Sequence, residues 1–149
     1  MDEQTRNFIL RLLDHGKDLT IATIRPDGYP QATTVSYAND GLNIYIGTGK
    51  DSQKVKNIQS CNKVSLTVNN DYKDWDHIQG LSMGADAEIL TAPEEVQHAI
   101  ACIVKRFPEI AKWASENDVG NVVFLKIKPR VISVLDYEKG FGHTDLVPV

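Results

Sequence analysis

The hydrophobic period switches repeatedly between helix-like and strand-like along the chain, and each switch marks an expected element. Phe8, Ile9, Leu12 and Leu13 share one face of a helix over residues 3–15, with Gly16 as its stop. Strands are expected over 19–25 and 31–37, joined by the turn Arg25-Pro26-Asp27-Gly28. Asn39-Asp40-Gly41 reads as a second hairpin turn into a strand over 42–46, where Leu42, Ile44 and Ile46 alternate with Asn43 and Tyr45. Gly47-Thr48-Gly49-Lys50-Asp51 is expected to break that strand before a short helix over 52–60, with Val55 and Ile58 as its apolar pair. A strand over 63–68, a polar loop over 69–77 and a long strand over 78–90 follow, with Gly80 and Gly84 as expected bulge or close-approach positions.

The strongest helix signal is Thr91-Ala92-Pro93-Glu94. Thr91 reads as the N-cap, Glu94 completes a capping box, and Val96, Ile100, Ile103 and Phe107 keep helical spacing up to Pro108. One or two further turns are expected over 109–116. Two closing strands, 122–127 and 131–135, lie on either side of Pro129, and the tail over 136–149 is expected to be irregular. Consecutive antiparallel strands with helices between them favour a barrel or rolled sheet over a parallel doubly wound one.

Composition narrows this picture. The 149 residues suit a single domain, 1–149, and are 42% hydrophobic and 24% charged, an ordinary globular balance. With 16 basic against 20 acidic side chains the formal charge is −4, which argues against a nucleic-acid partner. Cys61 and Cys102 are far apart and form no CxxC pair. The polar N-terminus carries no signal-like run, and no stretch approaches the roughly 20 apolar residues needed to span a bilayer. A soluble, cytoplasmic protein with no membrane partner is expected.

Gly47-Thr48-Gly49-Lys50 invites comparison with a P-loop, but Ile44 stands where that motif needs Gly, and Asp51 where it needs Ser or Thr. The segment has two other readings. Hydroxyls from Thr48 or Ser52 and ammonium groups from Lys50, Lys54 or Lys56, placed at a helix N-terminus, would cradle a phosphate. Alternatively, Asp51 or Ser52 merely caps the helix and the lysines are solvated. Asp71, Asp74, Asp76 and His77 lack the spacing of a calcium loop, and His15, His77, His98 and His143 are scattered, so no metal site is expected. Trp75 either caps a pocket or interface or packs in the core. No catalytic acid or base can be named; His143 is a candidate only because imidazole titrates near neutrality.

Two blocks carry a resemblance to a known family: residues 19–37, LTIATIRPDGYPQATTVSY, and residues 44–55, IYIGTGKDSQKV, with the helix and strand 58–68 behind the second. Together with 80–90 and 124–137, in this order and spacing, they resemble the pyridoxamine 5′-phosphate oxidase-like family. That resemblance implies a mainly β protein with flanking helices, a six-stranded antiparallel split β-barrel. It also implies a homodimer with FMN at the interface. By resemblance, Thr48, Ser52, Gln53 and Lys54 hold the phosphate. Thr33, Thr34, Val35 and Ser36, with Ile46 and Gly47, meet the flavin ring. Trp75 and Gln79 lie where the partner subunit approaches. Gln31 and Gln53 stand where the vitamin B6 phosphate oxidases carry Arg, and their substrate-binding Arg and His pattern has no counterpart near Arg130 and His143. The resemblance therefore implies a related FMN oxidoreductase acting on another small molecule. The alternatives are an F420-dependent reductase of the same fold and a non-catalytic flavin- or haem-binding module.

Overall fold

The computed structural model describes residues 1–117 and 119–149. Helix α1 (Glu3–His15) starts where Asp2 accepts the Thr5 N–H at 2.7 Å, and it buries Ile9, Leu12 and Leu13. Strands β1 (Asp18–Ile24) and β2 (Pro30–Ser36) form the first hairpin. Strand β3 (Ala38–Asp40) turns at Gly41 into β4 (Asn43–Gly49). Then come α2 (Gln53–Ser60), β5 (Lys63–Asn69), β6 (Gln79–Ile89), α3 (Pro93–Arg106), α4 (Ile110–Glu116), β7 (Val122–Asp136) and β8 (Thr144–Pro148).

All eight strands among the described residues belong to one antiparallel sheet in the order β2-β1-β5-β6-β7-β4-β3, with β8 beside β7. The two ends of that order, β2 and β3, are separated in the chain by one residue, Tyr37. The sheet must therefore curl until its edges approach, which makes it a split barrel. Its interior is filled by residues such as Ile21, Ile44, Ile46, Leu66, Met83, Leu125 and Ile132, with α1 as a plug.

Four expectations change. The barrel has eight strands rather than six, because the three-residue β3 and the tail strand β8 escape a periodicity test. The two closing strands are one. Arg130 is an extra residue in β7, so Gly84 pairs with Val131 but Ala85 with Pro129, and the buried positions shift from Leu125 and Ile127 to Ile132 and Val134. A bulge reverses which side chains face inward, and it tolerates a Pro without an N–H. Gly47–Gly49 does not break β4, which continues to Gly49 by pairing with Val122–Phe124. Finally, α3 is capped at Ala92 with no side-chain bond, so Thr91 is not the cap.

Tyr37 ties the curl together. It is buried, and its hydroxyl donates to the Leu13 carbonyl at 2.6 Å. The Arg106 guanidinium lies over its ring at 5.1 Å. Gly16 ends α1 with an ordinary negative φ. A side chain there would run into the Tyr37 hydroxyl, so close approach rather than a left-handed cap explains the glycine.

Burial pushes the Tyr37 hydroxyl up from 10.0 to about 12. Because the folded value lies above the unfolded one, this group's stabilisation is complete below pH 10 and is lost as pH rises toward 12. Tyr37→Phe is expected to cost about 1–2 kcal/mol near neutrality by orphaning the Leu13 carbonyl. Denaturant titration from neutral to alkaline pH should show the variant lacking this component of the alkaline loss.

Candidate functional site

The split between the sheet edges gathers three elements. β3 covers β4 only at Asn43–Tyr45, so the stretch from Ile46 to Gly49 has β7 on one side and no strand on the other. β2 is the sheet's other edge. Helix α2 packs on β1 and β6, and the chain turns into it directly from the end of β4, where the Ser52 N–H donates to the Gly49 carbonyl at 3.1 Å.

Ser52 is the N-cap of α2; its Oγ accepts the Val55 N–H at 3.3 Å and lies 3.5 Å from Thr48 Oγ1. Two hydroxyls thus meet at the positive end of a helix that has no acidic residue in its first turn. Burying Val55 and Ile58 pulls the helix against the sheet and brings Lys54 with it. Lys54 is half-buried, and burial lowers its ammonium below the usual 10.5 with no charged neighbour contributing to the shift. Among the described residues it has no ion pair. Lys50 and Lys56 are exposed, and Lys63 is bound to Asp86 at 2.7 Å, outside the cradle. Ser52 therefore caps the helix, as the second reading has it, while Lys54 beside it is partly desolvated rather than solvated.

The side chain of Gln53 runs along its own helix, where its Nε2 donates to Asn57 Oδ1 at 2.8 Å. On β2 the expected ring contacts divide between faces. Thr33 and Val35 are half-buried on the α2 side. Thr34 and Ser36 lie on the other face, bonded to Thr20 (3.2 Å) and Asp18 (3.0 Å). Thr33 Oγ1 is buried without a hydrogen-bond partner. The Ile46 side chain is fully buried in the core, which leaves its backbone to face the split, and Gly47 is exposed.

Trp75 and Gln79 do not join this cradle within one chain. Gln79 begins β6 and donates to Asp136 at 3.1 Å, whereas α2 reaches β1 at Thr23, near the opposite end of the sheet. An 11-residue strand spans on the order of 30 Å. Trp75 is 68% exposed, so the core alternative falls away. Its ring lies 6.1 Å from Phe141, which meets Tyr137 edge-on at 5.3 Å. Beside them is an open hollow of about 550 Å³ lined by Asp76, His77, Tyr137, Glu138, Gly140 and Phe141. A second hollow, beside α3 and lined in part by Tyr45 and His98, is about 150 Å³, too small for a flavin. His143 is bonded to Asp145 at 2.9 Å in the tail. No group of three metal-ligating side chains occurs among the described residues, and no helix there is long and apolar enough to cross a membrane.

The family model of pyridoxamine 5′-phosphate oxidase matches residues 6–136. The chain belongs to the pyridoxamine 5′-phosphate oxidase family. Within reach of this family, General stress protein 26 of Bacillus subtilis is 25% identical over 136 residues, 90% of each chain. A conserved hypothetical protein of Mycobacterium tuberculosis is 27% identical, with a TM-score of 0.79 over 97% of this chain and 91% of that one. The haem storage protein HutZ of Vibrio cholerae shares the fold at 19% identity, with a TM-score of 0.69 over 81% of this chain and 87% of its own.

Sequence reasoning missed Asn57, which is fully buried between α2 and the β1–β2 hairpin. No local signal marked it: Asn57 stands off the Val55–Ile58 stripe of the helix, and two of its partners lie on other elements. The geometry yields one prediction. Lys54→Met removes an uncompensated, partly desolvated charge, so the ligand-free variant should be at least as stable as the parent. The parent's penalty fades as pH rises through the lowered folded value toward 10.5, so the difference should shrink over that interval. Denaturant midpoints measured across alkaline pH check it.

Proposed function

We propose that this protein is an FMN-binding flavoprotein, an oxidoreductase of the pyridoxamine 5′-phosphate oxidase family that acts on a small molecule other than vitamin B6 phosphates. The observation that carries the reading is Lys54, a half-buried ammonium with no ion pair among the described residues, beside two hydroxyls at the start of α2. A phosphate supplies the missing charge and accepts from all three groups. The orphaned Thr33 hydroxyl and the uncovered edge of β4 suit a ligand with further polar groups. Bound FMN would supply hydride or electron transfer; the chain supplies binding, orientation and polarity.

The reading includes a homodimer. One chain has its cradle at one end of the sheet and an exposed aromatic corner of Trp75, Phe141 and Tyr137 at the other. Two copies set against each other would bring one copy's corner to the other's flavin, with Gln79 nearby. The deazaflavin F420 is the second reading, favoured by one observation: the cradle holds a single half-buried cation, which matches a singly charged phosphodiester.

Spectra of the purified protein and titration with FMN test the assignment. Saturable binding of one FMN per chain is expected, and Lys54→Ala should weaken it about 10- to 100-fold, the worth of one charge-assisted contact. A colourless protein that FMN does not titrate, while F420 or haem does, would overturn it. Sedimentation at micromolar concentration should show a dimer; a monomer would remove the interface site.

A further inference from the structure

The fully buried amide of Asn57 is engaged at both ends, by Gln53 of its own helix and by the β1–β2 hairpin. Its Oδ1 accepts from Gln53 Nε2 at 2.8 Å. Its Nδ2 donates to Thr23 Oγ1 on β1 at 2.9 Å and to Gln31 Oε1 on β2 at 3.1 Å. Thr23 is also buried. A buried amide left without partners is costly, so this arrangement has a strong preference for one geometry. It fixes the first turn of α2, which carries Lys54, against the hairpin that forms one side of the split.

The same bonds orient Gln31. Its carbonyl oxygen is committed to Asn57, so its NH₂ group is turned away from that amide. Those two N–H groups have no partner among the described residues, and Gln31 is only half-buried. Two residues along the same face of β2 lies the orphaned Thr33 hydroxyl. This face of β2 therefore presents unmatched polar groups next to the helix turn that holds the unmatched cation.

We propose that Asn57 is the positioning residue of the phosphate cradle, and that through it Gln31 becomes a further binding residue, donating its side-chain N–H groups to the ligand's phosphate end. The inference rests on the FMN reading and adds to it a neutral relay, Gln53–Asn57–Gln31. Gln53 is then a positioning residue rather than a ligand contact.

The test compares the affinities of FMN and riboflavin, which differ only by the phosphate, for the full chain and two variants. Gln31→Glu keeps an oxygen to accept from Asn57 but replaces the donors with a carboxylate. It should reduce the preference for FMN over riboflavin by about tenfold or more, with the unfolding midpoint and the riboflavin affinity nearly unchanged. Asn57→Ser should reduce the preference as well, together with stability. A purely structural role for the relay would lower both affinities in parallel and leave their ratio fixed. If the parent prefers FMN and Gln31→Glu keeps that preference within about twofold, the inference is wrong and the cofactor reading stands. If the parent shows no preference for FMN, both fail.

Discussion

One residue too many in β7 shapes the rest of the barrel. Pro129 has no N–H for the ladder and Arg130 has no opposite number in β6, so the strand bulges and its inward face changes parity. Before the bulge β7 pairs with β4, and after it with β8, while β6 runs along the other side throughout. A flat strand could not serve these neighbours and keep Leu125, Ile127, Ile132 and Val134 all inside. The bend helps carry the sheet round until β2 and β3 are a single residue apart. The bulge is pinned by charge as well: Asp86 accepts from Lys63 and Arg130, each at 2.7 Å, and the two cations hold its carboxyl below the usual range.

Beside the split created by that curl, α2 packs across β1 and β6. Its apolar residues Val55 and Ile58 have only the sheet to bury against, and the helix turn that places them also places Asn57 and Lys54. The amide finds partners within the protein. Among the described residues the ammonium has no ion pair, and burial lowers its proton affinity. A site that is electrostatically incomplete alone and complete with an anion is what a cofactor cradle requires. In the proposed reading the site follows from packing: the hydrophobic demand of α2 sets the position of the charge.

Local signals made much of this legible in the sequence. Helix α1 spans the expected residues because its apolar stripe, the stop at Gly16 and its length agree. The hairpin turn at Arg25–Gly28 was fixed by its residue types; in the second hairpin only Gly41 turns the chain, since Asn39 and Asp40 belong to β3. Long-range demands were not legible. β3 exists only because β4 is beside it, and β8 only because β7 leaves an edge. Thr91 had the chemistry of a cap, but the helix begins one residue later. In the site, hydroxyls and lysines at the strand–helix junction were visible from their spacing. The inward face of Ile46 was visible in its alternation with Tyr45, whereas the engagement of Gln53 was not, because its partner Asn57 is held by residues far off in the chain. Asn57 carried no motif at all; only its burial between β1 and β2 gives it meaning.

The central claim is that Lys54 and the start of α2 form a site for a dianionic phosphate. The ³¹P resonance of FMN, followed against pH with and without the protein, tests it most directly. Stabilisation of the dianion by the cradle predicts that bound phosphate takes up its second proton at lower pH than free FMN, and that Lys54→Ala moves the curve back toward that of the free cofactor. A bound phosphate that titrates with or above free FMN, unchanged in the Lys54→Ala variant, would contradict the account.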